Sequence, residues 1–527
     1  MAQKIKVNVM PNIVDKVVTY FDPVKGRQRL QARAQMALTG SYIGADKSRR
    51  SFRNWFTSGN SADDDLLPDL PTLREHSRDL MRNAPLAAGA VNTVVTNVVG
   101  TGLAMQARID NQFLGLTDEE ANQWQKNTER EYRLWCENRF ECDATSTQNF
   151  YGMQDLVFRS ALVNGDVVAV LPSRQLPGCA YGLKVQAVEG DRLATPPDLI
   201  TSPNIFGGVE VDDFGATVAL HIADRHPNAL ARVRGKVNFT RIVVRGEKSG
   251  RVNAIHLFRR TRPDQRRGEP YLAAVIEPLK QLDRYTEAEI MAAVISGMFT
   301  VFVEHAADEG APAPIDGGSA PGSEPEIQLA SGAIVDLEHG AKASIANPGR
   351  PNVAFDPFVM AVLRQIGVAL ELPFEVLIKH YTASYSAARA AMLEAWKFFK
   401  IRRMWLADNF CQPVYETWLA EAVATGRIAA PGFFADPAVR KAWCGAVWLG
   451  DGPGSIDPLK EANAVEKRID IGLTTLAEEV AAFDGGDWET KHSQRTREHR
   501  MRREAGLLKL PSGIAAPPDP PSDNTDQ

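Results

Sequence analysis

The sequence lacks the short motifs that most often identify an enzyme. It has no GxxxxGK[ST] loop for an ATP-driven motor, no GxSxG nucleophile turn and no HExxH zinc helix. The glycine-rich stretch GDGPG at residues 450–454 has no lysine, so we interpret it as a plain loop. Nowhere do a nucleophile, a base and an orienting group come together in the pattern. The sequence therefore predicts no catalytic residues and no cofactor.

Cysteine is scarce, and long apolar runs are missing. The five cysteines form no CxxC pair and no zinc spacing, and their odd number favours free thiols in a reducing cytoplasm. The longest uncharged apolar stretch, residues 290–303, is too short to cross a bilayer. The N-terminus does not show the charged, apolar and small-residue succession of a signal peptide. We therefore expect no metal site and no membrane role.

An overall excess of basic residues is also missing. The chain has 527 residues, with 60 Lys and Arg against 65 Asp and Glu, and a formal net charge of -5. Residues 1–53 alone contain eleven Lys and Arg against three Asp, so this segment is near +8 and the remainder near -13. Proteins that grip duplex DNA usually carry a basic excess, because phosphate neutralisation supplies most of the affinity. An acidic body suits a conduit that DNA touches better than a clamp.

Several groups of acidic residues and histidines resemble metal sites but do not meet the requirements of a metal site. We interpret the acidic run at residues 63–65 as a solvated flexible loop, because a magnesium site needs rigidly held ligands. His492 and His499 lie two helical turns apart, about 10 Å, which is too far to share a metal ion. The arginines around them predict a basic helix face, either solvated or in contact with nucleic acid or an acidic partner. His221 and His256 fall in strand-like runs and are expected at the core or a sheet edge.

The order of helical and strand-like patterns predicts an α+β chain. Its length exceeds what one core normally holds, so two to four domains are expected. One helix is predicted near Pro71 and another behind a capping box at Thr117, before a strand-rich region at residues 157–257. Proline is expected to interrupt the first helix at Pro85, to kink or delay a later helix at Pro278, and to kink another at Pro413. The later helices are predicted at residues 270–297, 353–370, from 386 onward, and as a final pair at 458–483 and 488–505.

Short motifs along most of the chain occur in a specific order and spacing. They are LREHSRDLMRNAPLAAGAVNTVVTNVVGTG at 73–102, VQAVEGDRL at 185–193, GGVEVD at 207–212, HLF at 256–258, RPDQRRG at 262–268, LPFE at 372–375 and SYSAARAA at 384–391. Together they resemble motifs of the lambda family of phage portal proteins. Two departures fall close together: Glu371-Leu372 stands where the family has Gly-Ile, and Ser384 stands where Asn is usual.

The resemblance implies the phage portal fold, in which each chain is one subunit of a closed ring. That fold has a mixed α/β wing, two stem helices, an α/β clip, a tunnel loop, a long helix and a helical crown. The implied segments are a basic N-terminal arm (1–65), wing (66–269), stem helix 1 (270–297), clip (298–352), stem helix 2 (353–370), tunnel loop (371–385), long helix and return to the wing (386–455), helical crown (456–510) and disordered tail (511–527).

The same resemblance implies a non-enzymatic function in the virion. Twelve subunits would form the DNA channel at the unique capsid vertex, used for genome packaging, retention and ejection. Implied partners are other copies of the chain, double-stranded DNA, the terminase large subunit, a head-tail connector or adaptor, and the major capsid and scaffold proteins. Assembly would take place in the host cytoplasm. The residues expected to face DNA in the tunnel loop are Lys379, His380, Tyr381, Thr382 and Ser384, with Lys379 as the main contact.

Two other classes of protein remain open from the sequence. One is a different structural protein of the particle, such as a head-to-tail adaptor, although adaptors are usually much shorter. The other is a nucleic-acid-processing enzyme such as a nuclease, which would require a metal cluster on ordered elements.

Overall fold

The computed structural model describes residues 13–38, 43–45, 50–229, 237–297, 301–305, 341–345, 354–381, 384–454, 457–505 and 507. The chain divides into two compact units, Met1–Ser61 and Ala62–Gln527. The predicted tail (511–527) lies outside the described residues, as does most of the predicted clip (298–352).

The smaller unit contains two helices, α1 (Ile13–Phe21) and α2 (Pro23–Leu38), which pack against each other. The carboxylate of Asp15 is fully buried in this unit and accepts a hydrogen bond from Arg29 Nε at 3.1 Å. The basic N-terminal segment is therefore helical over this range.

The larger unit contains the remaining described helices. They are α3 (Ala62–Leu66), α4 (Leu70–Asn83), α5 (Pro85–Val98), α6 (Asn111–Leu114), α7 (Asp118–Glu137), α8 (Arg139–Cys142), α9 (Phe150–Asn164), α10 (Ile276–Gly297), α11 (Phe355–Ala369), α12 (Phe374–Ile378), α13 (Tyr385–Leu406), α14 (Gln412–Ala424), α15 (Pro437–Trp443), α16 (Pro458–Asp470), α17 (Leu476–Asp484) and α18 (Trp488–Glu504). Among the described residues, no helix is both long and apolar enough to span a membrane.

The strands form small antiparallel sheets. They are β1 (Ala104–Ala107), β2 (Asp166–Val170), β3 (Gln186–Glu189), β4 (Ile205–Phe206), β5 (Val209–Val211), β6 (Thr217–Ala223), β7 (Phe239–Val243), β8 (Ala254–Phe258), β9 (Val301–His305), β10 (Ala341–Ile345) and β11 (Ala446–Leu449). The sheet orders are β3-β2-β8, β4-β5-β6-β7, β1-β11 and β9-β10. In the three-stranded sheet Val168 lies opposite both Val188 and His256. The α+β class predicted from the sequence is confirmed.

Two hydrophobic clusters hold the larger unit together. The larger cluster joins most helices and centres on aromatic rings, among which Tyr132 and Trp418 have ring centroids 4.9 Å apart. The smaller cluster packs Val168 and Val188 of the three-stranded sheet against Val209 and Leu220 of the four-stranded sheet. The two sheets therefore share a core, which places the loops between their strands close together.

The structure confirms several predicted boundaries and corrects others. Helix α4 ends where Ala84 is extended, and the capping box at Thr117 opens α7. The predicted helix at residues 458–483 is wrong as a single element, because the chain turns at Gly472 (φ 72°) between α16 and α17. A π-helical turn, Ala407–Cys411, lies between α13 and α14, and Pro413 lies in the first turn of α14. The kink expected at this proline stays a prediction.

The last three helices differ from the rest of the unit. Helices α16, α17 and α18 contain no buried residue among those described. Several of their large apolar side chains are exposed, among them Leu459, Leu476 and Phe483 at 73%, 47% and 64%. Packing among the described residues of one chain therefore leaves much of this helical region uncovered.

Candidate functional site

The predicted tunnel loop begins with a tight turn at the end of α11. Glu371 has φ 56° in the left-handed region, and Leu372 N–H donates to Gly367 carbonyl oxygen at 2.9 Å. A Cβ at Gly367 would lie 2.8 Å from Leu372 carbonyl oxygen, so the turn needs glycine there. The left-handed position is also the one where the family pattern has glycine, which fits the turn without strain. This chain makes the same turn with a glutamate.

A second left-handed residue ends the short helix α12. Lys379 has φ 54° and caps α12 by donating its N–H to Glu375 carbonyl oxygen. His380 N–H donates to the same oxygen at 3.2 Å. The side chains of Lys379 and His380 are both exposed, and Tyr381 is half exposed with its hydroxyl 3.7 Å from Met392 Sδ. The loop therefore presents one lysine, one imidazole and one phenol to its surroundings.

Ser384 has a defined local function at the start of α13. Its Oγ accepts a hydrogen bond from Ala387 N–H at 3.4 Å and caps the helix. Asn caps helices as well as Ser does, so Ser384 keeps the capping function that the family's usual Asn would have at this position. Thr382 lies outside the described residues. The structure thus places the other four predicted residues in one exposed loop, within six positions of the chain.

Sequence reasoning missed a buried charge network in the predicted wing region (66–269). Asp166, fully buried at the start of β2, accepts hydrogen bonds from Arg74 Nη2 and Arg267 Nε, each at 2.5 Å. His256 Nε2 lies 3.2 Å from the same carboxylate and donates to it. Arg74 and Arg267 are themselves 4% and 3% exposed. A carboxylate between two guanidinium groups is an arrangement that survives burial only when every partner is present.

Arg267 also binds the backbone of two distant loops. Its guanidinium donates to the carbonyl oxygens of Leu193 at 2.7 Å, Gly207 at 2.6 Å and Gly190 at 2.6 Å. A Cβ at Gly190 would collide with Asp166 Oδ1, so glycine is needed for this approach. One arginine side chain therefore connects both sheets of the wing region.

A second layer of polar contacts surrounds this network. Arg78 pairs with Asp191 and donates to Asn164 Oδ1 at 2.7 Å. Gln265 Oε1 accepts from Thr261 and Arg262 N–H groups, at 2.8 and 3.1 Å.

The acidic run is part of the same region, and its interpretation as a solvated flexible loop is wrong. It lies in α3, where Asp63 is 3% exposed and accepts from Arg266 N–H at 2.9 Å and Nη1 at 2.8 Å. Asp65 pairs with Arg262 Nη1 at 2.7 Å. Asp63 and Asp65 thus bind arginines of the RPDQRRG motif, a partnership that residue spacing alone does not reveal.

The electrostatics of the network follow from burial and charge. Burial opposes the charged form of Asp166, but Arg267 and Arg74 outweigh it and hold the pKa of that carboxyl well below its usual range. Burial lowers the pKa of His256 below its ordinary value, more than the hydrogen bond to Asp166 raises it. His256 is therefore neutral near pH 7 and uses its Nε2–H as a donor. Its Nδ1 is buried and has no hydrogen-bond partner in the part of the chain that the structure describes.

Among the described residues, one group of side chains is spaced closely enough to hold a metal ion: Glu189, Asp191 and His226. The Arg78 guanidinium already binds both carboxylates, at 3.1 Å from Glu189 Oε1. His226 Nδ1 accepts a hydrogen bond from Asn228 N–H at 3.0 Å, which places the imidazole proton on Nε2, facing the carboxylates. These contacts fit an ion-paired cluster rather than a metal centre.

The sequence motifs that are far apart in the chain meet at this network. Arg74 and Arg78 come from the first motif, Asp191 from the second and Arg267 from RPDQRRG. Arg74 and Arg267 are buried, and Arg78 and Asp191 are partly buried beside them, so the motifs contribute charges that need one another. A model of "Phage portal protein, lambda family" matches residues 48–403 and so spans every one of them.

The chain belongs to the lambda family of phage portal proteins. It is 26% identical over 477 residues to the portal protein of Escherichia phage N15, which covers 86% of this chain and 89% of that protein. It is 26% identical over 486 residues to portal protein B of Escherichia phage lambda, covering 88% and 90%. Family membership makes this chain a portal protein of a tailed phage.

A solved structure with a related chain trace comes from the virion of a native gene transfer agent particle. Identity is 14% and the TM-score 0.40, with 71% of this chain and 92% of that chain covered. Such a score is too low to transfer contacts or assembly. The portal family itself is one of structural proteins of the phage particle rather than of enzymes.

Proposed function

We propose that this portal protein forms a closed ring of twelve subunits at the unique vertex of the capsid. Double-stranded DNA would pass through the ring during packaging, remain held behind it and leave through it at ejection. The observation that carries this proposal is the family match, which runs unbroken from residue 48 to 403 and includes the tunnel loop. Such a ring requires head-to-tail contacts in which the rotation from one subunit to the next brings the last subunit back to the first.

The proposed partners follow from that location. The terminase large subunit would dock on the ring to drive DNA, a head-tail connector would replace it, and major capsid and scaffold proteins would surround it. The ring would assemble in the host cytoplasm and remain in the virion, with no membrane contact. The chain itself would have no catalytic function.

The proposed segments correspond to described elements. Helices α10 and α11 would be the two stem helices, and they pack together, with the rings of Tyr285 and Phe355 stacked at 5.6 Å. The antiparallel pair β9-β10 would belong to the clip. Helix α12 would lie within the tunnel loop, α13 would be the long helix, and α16–α18 would form the crown.

The tunnel loop would contact DNA weakly and without regard to sequence. Each subunit contributes the exposed Lys379, with His380 and Tyr381 beside it, while Ser384 is engaged in capping α13. One lysine per subunit gives a ring of separated charges. Such contacts to phosphate permit sliding, whereas a densely basic lining would arrest it.

The test combines assembly and packaging. Mass photometry and negative-stain images of the full chain should show closed rings, and a purely monomeric chain at all concentrations would contradict the ring. Lys379→Ala should leave the rings intact and reduce the amount of DNA packaged or retained in a packaging reaction. Lys248→Ala, at an exposed turn lysine between β7 and β8, is the matched control. Equal packaging by both variants would remove Lys379 from the proposed contact.

A further inference from the structure

A polar cleft of about 410 Å³ lies between α7 and α18, with β1 at its end. Lys126, Arg130 and Arg133 line it from α7, and Ser493 and Arg497 line it from α18. On each helix these residues recur at intervals of three or four, so each helix contributes one continuous face. The described residues that line the cleft include no aliphatic or aromatic side chain. Polar surfaces facing each other without packing leave a space for solvent or a ligand.

The two walls are held in place by specific contacts. Lys126 Nζ pairs with Glu489 at 3.1 Å, and Gln106 Nε2 donates to Asp487 Oδ1 at 2.7 Å. Asp487 also caps α18 by accepting from Thr490 N–H at 2.9 Å. The cleft is therefore built from segments at opposite ends of the chain, which these contacts join.

The charge of the cleft is unbalanced. It contains five cations, and the guanidinium groups of Arg108, Arg130, Arg133 and Arg497 form no ion pair within 4 Å among the described residues. The three carboxyl groups present are already engaged: Glu489 with Lys126, Asp487 with the start of α18, and Glu129 with Ala107 N–H at 2.9 Å. The cleft thus has several guanidinium donors available for an anion.

Glu129 adds to this imbalance near neutral pH. Burial, together with the charge of Asp487, raises its pKa to about 7, although Arg133 and Arg108 oppose the shift. The Glu129 carboxyl is then partly uncharged near neutral pH. An anion entering the cleft meets less repulsion than three ionised acids would give.

The basic surface continues beyond the cleft along α18. This helix carries six Lys and Arg against three Glu, and its side chains are exposed from His492 onward. Its seventeen residues span about 25 Å. A row of positive charge of that length suits a polymer of regularly spaced phosphates. A folded acidic protein would usually also need an apolar anchor, which the cleft does not offer.

We propose that this arginine cleft, formed by Arg108, Arg130, Arg133 and Arg497, binds backbone phosphates of duplex DNA. It would be a second DNA contact, separate from the tunnel loop. Planar guanidinium groups suit phosphate oxygens because they donate two parallel hydrogen bonds. The inference rests on the proposed function only in that DNA reaches the ring. Contact through phosphates alone makes the binding independent of sequence.

The test measures binding of a short mixed-sequence duplex to assembled full-length protein by fluorescence anisotropy across a salt series. Arg130→Gln with Arg133→Gln removes two phosphate contacts per site. At 0.15 M salt we expect binding about 30-fold weaker, with the salt slope reduced by about 2. Arg497→Gln, on the opposite wall, should weaken binding about 5-fold. The control, Arg174→Gln with Arg260→Gln, makes the same charge change at exposed arginines outside the cleft.

The outcomes separate this inference from the proposed channel. If the cleft variant binds the duplex as the control does, the cleft is not a DNA site. If the arginines prove necessary for binding polyglutamate but not the duplex, the ligand is an acidic protein segment and the inference is overturned. Lys379→Ala should leave the difference between the cleft variant and its parent unchanged, so the two contacts can fail independently.

Discussion

Asp166→Asn tests whether the buried charge network holds the wing region together. The substitution keeps the size of the side chain and removes one negative charge from between two guanidinium groups. Arg74 and Arg267 are 4% and 3% exposed, so neither can recover its hydration without opening the fold. The new amide group also presents N–H where an arginine or His256 now donates to oxygen.

The expected cost follows from what remains buried after the change. Removing one partner of a buried ion pair usually destabilises a protein by about 3–5 kcal/mol, because a charge is left uncompensated. Asp166 has two such partners, so the upper half of that range is expected. Asp155→Asn is the matched control: Asp155 lies on α9, 40% exposed, and pairs with Arg159 one turn away. An exposed pair of this kind contributes about 0.5 kcal/mol.

The assay is urea unfolding of the full chain at equal subunit concentrations, since assembly also stabilises the folded state. Arg267→Gln and the double variant complete a thermodynamic cycle, with an expected coupling of about 2–3 kcal/mol. Because the folded pKa of Asp166 is depressed, its contribution is present above the unfolded pKa of about 3.9 and lost as the pH falls below it. If the free energy of unfolding of Asp166→Asn lies within about 1 kcal/mol of that of Asp155→Asn, the reasoning is refuted.

Three further predictions concern single residues. Glu371→Gly should stabilise the chain by about 0.5–1 kcal/mol in urea by relieving the left-handed residue, whereas Glu371→Ala should give no gain. Ser384→Ala should cost about 1 kcal/mol by the same measurement, and Ser384→Asn almost nothing, because Asn restores the cap. Glu129 has a raised folded pKa, so its stabilising contribution is present below about 4.5 and lost as the pH rises through about 7. Glu129→Gln should remove that part of the pH dependence of the melting temperature.

Local features of the fold could be predicted from the sequence where neighbouring residues decide them. The capping box at Thr117 and the break at Ala84 before Pro85 depend on a few adjacent residues, and both were predicted. The division of residues 458–483 into two helices depends on a glycine turn, which the periodicity of apolar residues does not reveal.

The buried network could not be predicted in the same way. Asp63 and Arg266, or Arg74 and Asp166, are about 200 and 90 residues apart, and nothing in the local pattern of either member indicates its partner. The family motifs include many of the charged residues that meet in the network. They do not indicate which of these residues pair with one another. The tunnel-loop residues remain a prediction, because which way a loop faces depends on neighbouring subunits.

The uncovered helices α16–α18 make the concentration of the protein part of its folding problem. Among the described residues of a single chain, Leu459, Leu476 and Phe483 of these helices stay largely in water, so little hydrophobic burial holds the helices against fraying. A newly made subunit therefore exposes an apolar surface on these helices until another molecule covers it. Correct assembly with a neighbouring subunit and aggregation compete for this surface. The yield of correct particles therefore depends on how fast subunits assemble relative to how fast they aggregate.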